Sequence, residues 1–322
     1  MRLKYDAVDF ILKRGDDYTK LHLLQFLNLL DTKMAKDLIL TLLKSQMPSS
    51  GFPSRFDRQT EGIRETCRIA LLLLKCGIPS HGLNIQCAVN FLLKHQREDG
   101  GWSENPELSI PEHMIELSNE KSVTWLTANV VELIREVGLG SNEACRKALS
   151  WLRETQNEDG GWMMFEGDGF KGSDPDSTAQ ILFMIREIYG ENNPVYLKGK
   201  PFFEKHLDEL AKDAERGYYT ALNGGKREND IYHLTHLLGS SLVDKNRRVE
   251  ASYDLKDKRV KKIVKAILDS QREDSGWSPF WTEESSPVYT MLTLKLLVWV
   301  RALNRENLKN QLKRHLESSV TM

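Results

Sequence analysis

Four copies of one short pattern constrain this chain more than any other feature. Residues 46–52 read QMPSSGF, 96–102 QREDGGW, 156–162 QNEDGGW and 271–277 QREDSGW. In each, a glycine and then an aromatic close the segment six residues after the glutamine, and an aliphatic residue (Leu42, Leu92, Leu152, Ile267) stands four residues before it. A glycine-rich turn after an amphipathic run stops a helix, so each segment reads as a helix end with its turn. The glutamines lie 50, 60 and 115 residues apart. The last interval is close to two periods, and the stretch from Pro201 to Tyr219, with Gly217-Tyr218 at the turn, reads as the degenerate copy between. Self-similarity at such a period is the signature of a repeat architecture.

A second marker runs at the same period. Thr19, Thr66, Thr127, Thr178, Thr235 and Thr290 each open an apolar helical run, at spacings of 47, 61, 51, 57 and 55 residues. The two markers together predict six helix pairs, from about Tyr5 to Leu303. Two rings of six helices close into a toroid. The threonine-marked helices, apolar almost all round as buried helices are, form the inner ring, and the glutamine-terminated helices form the outer one. Residues 1–303 thus make one all-α domain. Residues 304–322 carry a Leu308/Leu312/Leu316 stripe and otherwise mostly polar residues. They read as an extra C-terminal helix packed on the outside, a membrane-surface helix being the alternative. Glycine (21) and proline (10) fall below their usual share of about 12%, which suits long helices.

Charge and cysteine content narrow the setting. The 45 basic and 46 acidic residues leave a net charge of −1, which argues against a nucleic-acid partner. Cys67, Cys76, Cys87 and Cys145 form no CxxC pair and read as free thiols of a cytoplasmic protein. The N-terminal residues lack the apolar core of a signal peptide. Apolar runs such as Ala70 to Leu74 and Leu296 to Val300 fall far short of the roughly 20 residues that span a bilayer. No transmembrane segment is expected. Peripheral contact with the inner membrane needs none and stays open, as does the oligomeric state.

The Q-x-x-D-G-G-W pattern resembles the repeat of the squalene–hopene cyclase and protein prenyltransferase β-subunit superfamily. That resemblance implies an (α/α)6 barrel, in which the glutamines and Trp102, Trp162 and Trp277 serve as scaffold. Two residues before the six marker threonines stand Asp17, Arg64, Trp125, Asp176, His233 and Val288, which puts them on one rim of the inner ring. Residues 173–179 read SDPDSTA. One aspartate there serves as a helix cap and proline suits the first turn, but two aspartates exceed what a cap requires. The segment resembles the D-x-D-D-T-A motif of class II terpene cyclases through Asp174, Asp176, Thr178 and Ala179, with Ser177 where squalene–hopene cyclases carry a third aspartate. The resemblance makes Asp176 the general acid, Asp174 its partner and His233 the histidine that hydrogen-bonds it. It makes Phe165, nine residues before Asp174, a cation-stabilising aromatic. Trp125, Tyr232 and Tyr289 join it from their places near inner-helix starts.

This implies a protonation-initiated cyclase, an isomerase or lyase acting on a linear isoprenoid. A carboxylic acid in an apolar cavity beside a second carboxylate holds its proton, and aromatic faces stabilise the resulting cation by about 0.5–2 kcal/mol each. No metal or cofactor is called for, magnesium entering only with a diphosphate substrate. Two other readings stand beside it. Residues 230–233, DIYH, resemble the segment that supplies the zinc histidine of prenyltransferase β-subunits, with His236 nearby, although Asp176 occupies the place of their cysteine. A non-catalytic isoprenoid- or lipid-binding barrel is the other. Loops 103–121 and 220–229 are candidates to close the cavity.

Overall fold

The repeat turns are locked by one hydrogen-bond pattern, and that pattern explains both sequence markers. In the computed structural model the glutamine amide closes its own turn and reaches the next outer helix: Gln96 Nε2 donates to Gly100 O and Ala144 O (both 2.8 Å), and Gln156 Nε2 to Gly160 O (2.8 Å) and Val195 O (3.0 Å). Gln46 repeats this toward Ser50 and Asn84. The buried tryptophans donate from Nε1 to a last-turn carbonyl of the preceding helix, Trp102 to Leu92 (2.7 Å), Trp162 to Leu152 (2.6 Å) and Trp277 to Ile267 (2.7 Å). These are the aliphatic residues four places before each glutamine. They carry a last-turn carbonyl and a buried apolar side chain into the same spot.

The marker threonine is the other half of the lock. Thr66, Thr127, Thr178 and Thr290 accept the backbone N–H of Phe52, Trp102, Trp162 and Trp277 at 2.8, 2.9, 2.9 and 3.1 Å. All four threonines are fully buried, so without the hydroxyl each aromatic would leave a buried donor unmet.

Described are residues 1–112, 114, 116–169, 172–216, 218–220, 226–228, 242–245, 248–251, 253–278 and 284–318, with backbone alone between 218 and 251. They divide into two compact units, Met1–Leu38 with Glu204–Met322, and Ile39–Phe203. The helices are α1 (Ala7–Arg14), α2 (Asp17–Phe26), α3 (Lys33–Lys44), α4 (Ile63–Lys75), α5 (Leu83–Lys94), α6 (Thr124–Glu136), α7 (Glu143–Glu154), α8 (Pro175–Tyr189), α9 (Pro194–Arg216), α10 (Lys258–Asp269), α11 (Pro287–Trp299) and α12 (Arg305–Ser318). Short antiparallel pairs join β1 (Phe52–Pro53) to β2 (Glu61–Gly62), β3 (Tyr218–Thr220) to β4 (Lys226–Glu228) and β5 (Leu242–Lys245) to β6 (Arg248–Ala251). The last two pairs occupy a stretch that the helical period leaves as loop and helix. The fifth threonine-marked helix, around Thr235, lies outside the described residues.

In the unit Ile39–Phe203 the threonine-marked helices α4, α6 and α8 pack in succession, with α5 against α4 and α7 against α6. In the other unit α2 packs on α11, both threonine-marked, and α1 packs on α11. Gln271 there makes the repeat bond to Tyr5 O (3.1 Å) and accepts from Lys4 N (2.9 Å), docking the last repeat on the first. Helix α12 lies on α1, burying Leu308 and Leu312 and pairing His315 with Asp6 at 2.8 Å. No described helix is long and apolar enough to cross a membrane. The four cysteines are free, and burial pushes the thiols of Cys67, Cys76 and Cys145 up, that of Cys76 to about 12.

Candidate active site

The acid motif starts α8, pinned to the third repeat turn. Asp174 N donates to Trp162 O (2.7 Å) and Trp162 N to Thr178 Oγ1 (2.9 Å), so the motif lies antiparallel to the tryptophan. Ser173 Oγ donates to Asp159 Oδ1 (2.7 Å), which also accepts from Gly161 N (2.9 Å). Asp174 is buried and caps α8, its Oδ2 accepting from Ser177 N at 2.7 Å. Pro175 and Asp176 follow in the first helical turn. The cap is therefore Asp174 alone, and the half-buried Asp176 is not needed for it.

The aromatic candidates fall on different parts of the fold. Thr124, first residue of α6, donates from N to Met164 O (2.8 Å) and from Oγ1 to Met163 O (2.7 Å). This holds the 163–168 loop, with half-buried Phe165, against the start of α6. Asp168 stiffens the loop by accepting from Met164 N (3.1 Å). Trp125 donates from Nε1 to Glu116 O (2.9 Å), and its carbonyl accepts from Gln180 Nε2 of α8 (3.4 Å). The same amide bonds Asn129 of α6. The Arg64 guanidinium of α4 stands over the Trp125 ring, 5.7 Å from its centroid. Arg64, Trp125 and Asp176 thus hold the same register on three consecutive packed helices. Tyr289 is buried in α11 of the other unit. Tyr232 and His233 lie outside the described residues, as does His236.

Glu104 is a residue that the sequence reasoning missed. Helix α4 begins after Gly62, which has no side chain to cap it. The cap comes from the following repeat: Glu104 Oε1 accepts from Ile63 N (2.5 Å) and Asn105 N (3.0 Å), and Oε2 from Arg64 N (3.3 Å). Its side chain is fully enclosed. Burial, and after it the charge of Glu65, pushes the Glu104 carboxyl up to about 7 against those three N–H bonds. The only local hint is an N-terminus at Gly62 with no capping side chain. Loop 103–121 folds over this end of α4, with Leu108, Met114 and Leu117 buried and Asn105 Nδ2 donating to Glu61 O (2.9 Å).

Among the described residues no three His, Cys, Asp or Glu side chains stand close enough to hold a metal ion.

Paired helices that repeat around a locked Gln–Trp–Thr turn define an α/α-toroid protein. The squalene–hopene cyclase C-terminal domain matches residues 19–182 and the prenyltransferase alpha-alpha toroid domain residues 105–319; the chain belongs to this squalene–hopene cyclase and prenyltransferase toroid family. It is 30% identical over 155 residues to a squalene–hopene cyclase of Zymomonas mobilis, over 45% of this chain and 21% of that one. The chain thus spans about a fifth of the length of that relative. Among solved structures, a protein from Actinoplanes has a TM-score of 0.62 at 15% identity, covering 92% of this chain and 98% of that one. The type II terpene cyclase MstE from Scytonema has a TM-score of 0.58 at 15% identity, covering 92% and 96%. A variant of it in complex with merosterolic acid A, its product, has a TM-score of 0.59 at 16% identity, with the same coverage.

Proposed function

We propose that this protein is a class II terpene cyclase in which Asp176 is the general acid. The observation that carries the reading is the division of labour at α8: Asp174 supplies the cap, so helix formation does not account for a second carboxyl at Asp176. The substrate's terminal alkene or epoxide takes the Asp176 proton, and the carbon left electron-poor is attacked by the next double bond along the chain. Phe165 and Trp125 offer ring faces to the cation without a lone pair that would trap it; Tyr232 and Tyr289 are assigned the same role. His233 is assigned to hydrogen-bond the carboxyl pair. Loss of a proton, or capture of water, ends the sequence. The toroid relatives support a prenylated ligand, since variants of MstE are seen with a geranylgeranyl dihydroxybenzoate substrate and with merosterolic acid A as product.

The test is incubation with linear prenyl substrates in chelator, products read by mass spectrometry, for wild type, Asp176→Asn and Asp174→Asn. Asp176→Asn is expected to retain its helical circular dichroism and lose cyclisation by at least about 100-fold, the lower range for a general acid. Full cyclisation by that variant overturns the assignment.

A further inference from the structure

The start of α4 carries buried polar atoms that no hydrogen bond among the described residues satisfies. Arg64 Nη1 and both carboxyl oxygens of Glu65 are buried and meet no hydrogen-bond partner among the described residues. Three unmet buried polar atoms on adjacent residues are costly and ask for an explanation. Glu104 does not supply one, because its oxygens are taken by the N–H groups of Ile63, Asn105 and Arg64. Arg55 forms an ion pair with Glu65, its Nε 4.0 Å from Oε1, a separation too long for a hydrogen bond. Burial and the charge of Arg64 hold its guanidinium down to about 10, with Arg68 adding to the repulsion and Glu65 and Glu116 opposing it.

The Arg64 guanidinium carbon stands 5.7 Å from the Trp125 ring centroid, and its Nη1 meets no hydrogen-bond partner among the described residues; a guanidinium with donors to spare is a receiver for an oxyanion. Its register relative to Asp176 gives the direction. Arg64 is on α4 and Asp176 on α8, with α6 between. Packed helices lie about 8–10 Å apart, so the two groups are separated by roughly two such steps. A ligand lying across them would have a protonatable end at Asp176 and its other end at Arg64.

We infer that the first turn of α4 is a head-group subsite, in which Arg64, with Arg55 beside it, binds an anionic oxygen group at the polar end of a prenyl chain, and Glu65 accepts from any hydroxyl on that head. The inference rests on the cyclase reading for the apolar part of the ligand only. The shared chemistry is an oxyanion, carried by a carboxylate or by a diphosphate.

The test is equilibrium binding, followed by tryptophan fluorescence, of geranylgeraniol, geranylgeranoic acid and geranylgeranyl diphosphate to wild type, Arg64→Gln, Arg64→Lys and Arg55→Gln. Wild type is expected to bind at least one anion about tenfold or more tightly than the alcohol, a difference of about 1.4 kcal/mol. The tighter anion identifies the head. Arg64→Gln should lose the preference while binding the alcohol as before, with Arg64→Lys intermediate. Equal affinity for all three probes, no binding of any probe, or an undiminished preference in a folded Arg64→Gln protein overturns the subsite. Asp176→Asn is titrated in parallel. Cyclisation surviving in that variant while the anion preference holds removes the acid assignment and leaves the subsite. Asp176-dependent cyclisation without anion preference removes the subsite alone.

Discussion

Glu104 makes stability depend on pH in a way that a single substitution exposes. Its carboxyl titrates at about 7 in the folded protein against 4.5 for an ordinary glutamate. The folded value is raised, so between these limits the native state keeps a proton that the unfolded chain releases. The sign follows by linkage: the contribution is complete below about pH 4.5 and is lost as pH rises through 7. The difference of two to three pKa units, at 1.36 kcal/mol each, amounts to about 3 kcal/mol. Glu104→Gln removes the titration and keeps an oxygen for the Ile63 and Asn105 N–H groups, although its amide cannot accept from Arg64 N. The stability of wild type minus that of Glu104→Gln is therefore expected to fall by about 3 kcal/mol between pH 4 and pH 8. Urea denaturation followed by circular dichroism across that range measures it. Thermal midpoints should move in the same sense, by about 2–4 °C per kcal/mol for a domain of ordinary size. Parallel pH curves for the two proteins would refute the placement of Glu104 as an enclosed cap.

Other predictions follow from the repeat lock and from the acid. Gly160→Ala should cost about 3 kcal/mol or more, because φ is +91° and a Cβ would sit 2.2 Å from Lys198 O. Gly138→Ala, at φ +84° but with open space around it, should cost only about 1 kcal/mol; equal losses in urea melts would contradict the packing. Thr178→Val should lose about 1–3 kcal/mol by stranding the Trp162 N–H, and Thr178→Ser should recover most of it. For an uncharged substrate, cyclisation should be indifferent to chelator; stoichiometric zinc in the purified protein would instead favour a prenyltransferase-like enzyme.

The helix ends and the turn residues were legible because the forces that set them are local. Gln96, Asp99 and Trp102 act within a few residues of one another, and their spacing survives in every good copy. The ambiguity at 173–179 was also visible: one aspartate had to cap. Which one did so was decided by the backbone bridge to Trp162, which fixes the Asp174 backbone and leaves Asp176 inside the first turn. Phe165 gained its place from Thr124, some 40 residues earlier, through bonds to Met163 and Met164. The short strand pairs, 218–220 with 226–228 and 242–245 with 248–251, join residues that carry no repeat signal, so the helical period did not announce them.

By itself the sequence determined the all-helical repeat, its period, the buried threonine and tryptophan positions and the paired aspartates, all consequences of helix periodicity and short-range capping. Only the tertiary structure decided that Glu104 closes the start of α4 from some 40 residues away and that Gln271 joins the chain's end to Tyr5. It also decided that Arg64 lies over Trp125 with a donor to spare. Those contacts join residues whose separation along the chain carries no pattern. They exist because backbone donors and charges, once removed from water by packing, must take partners from whatever neighbour the fold brings near.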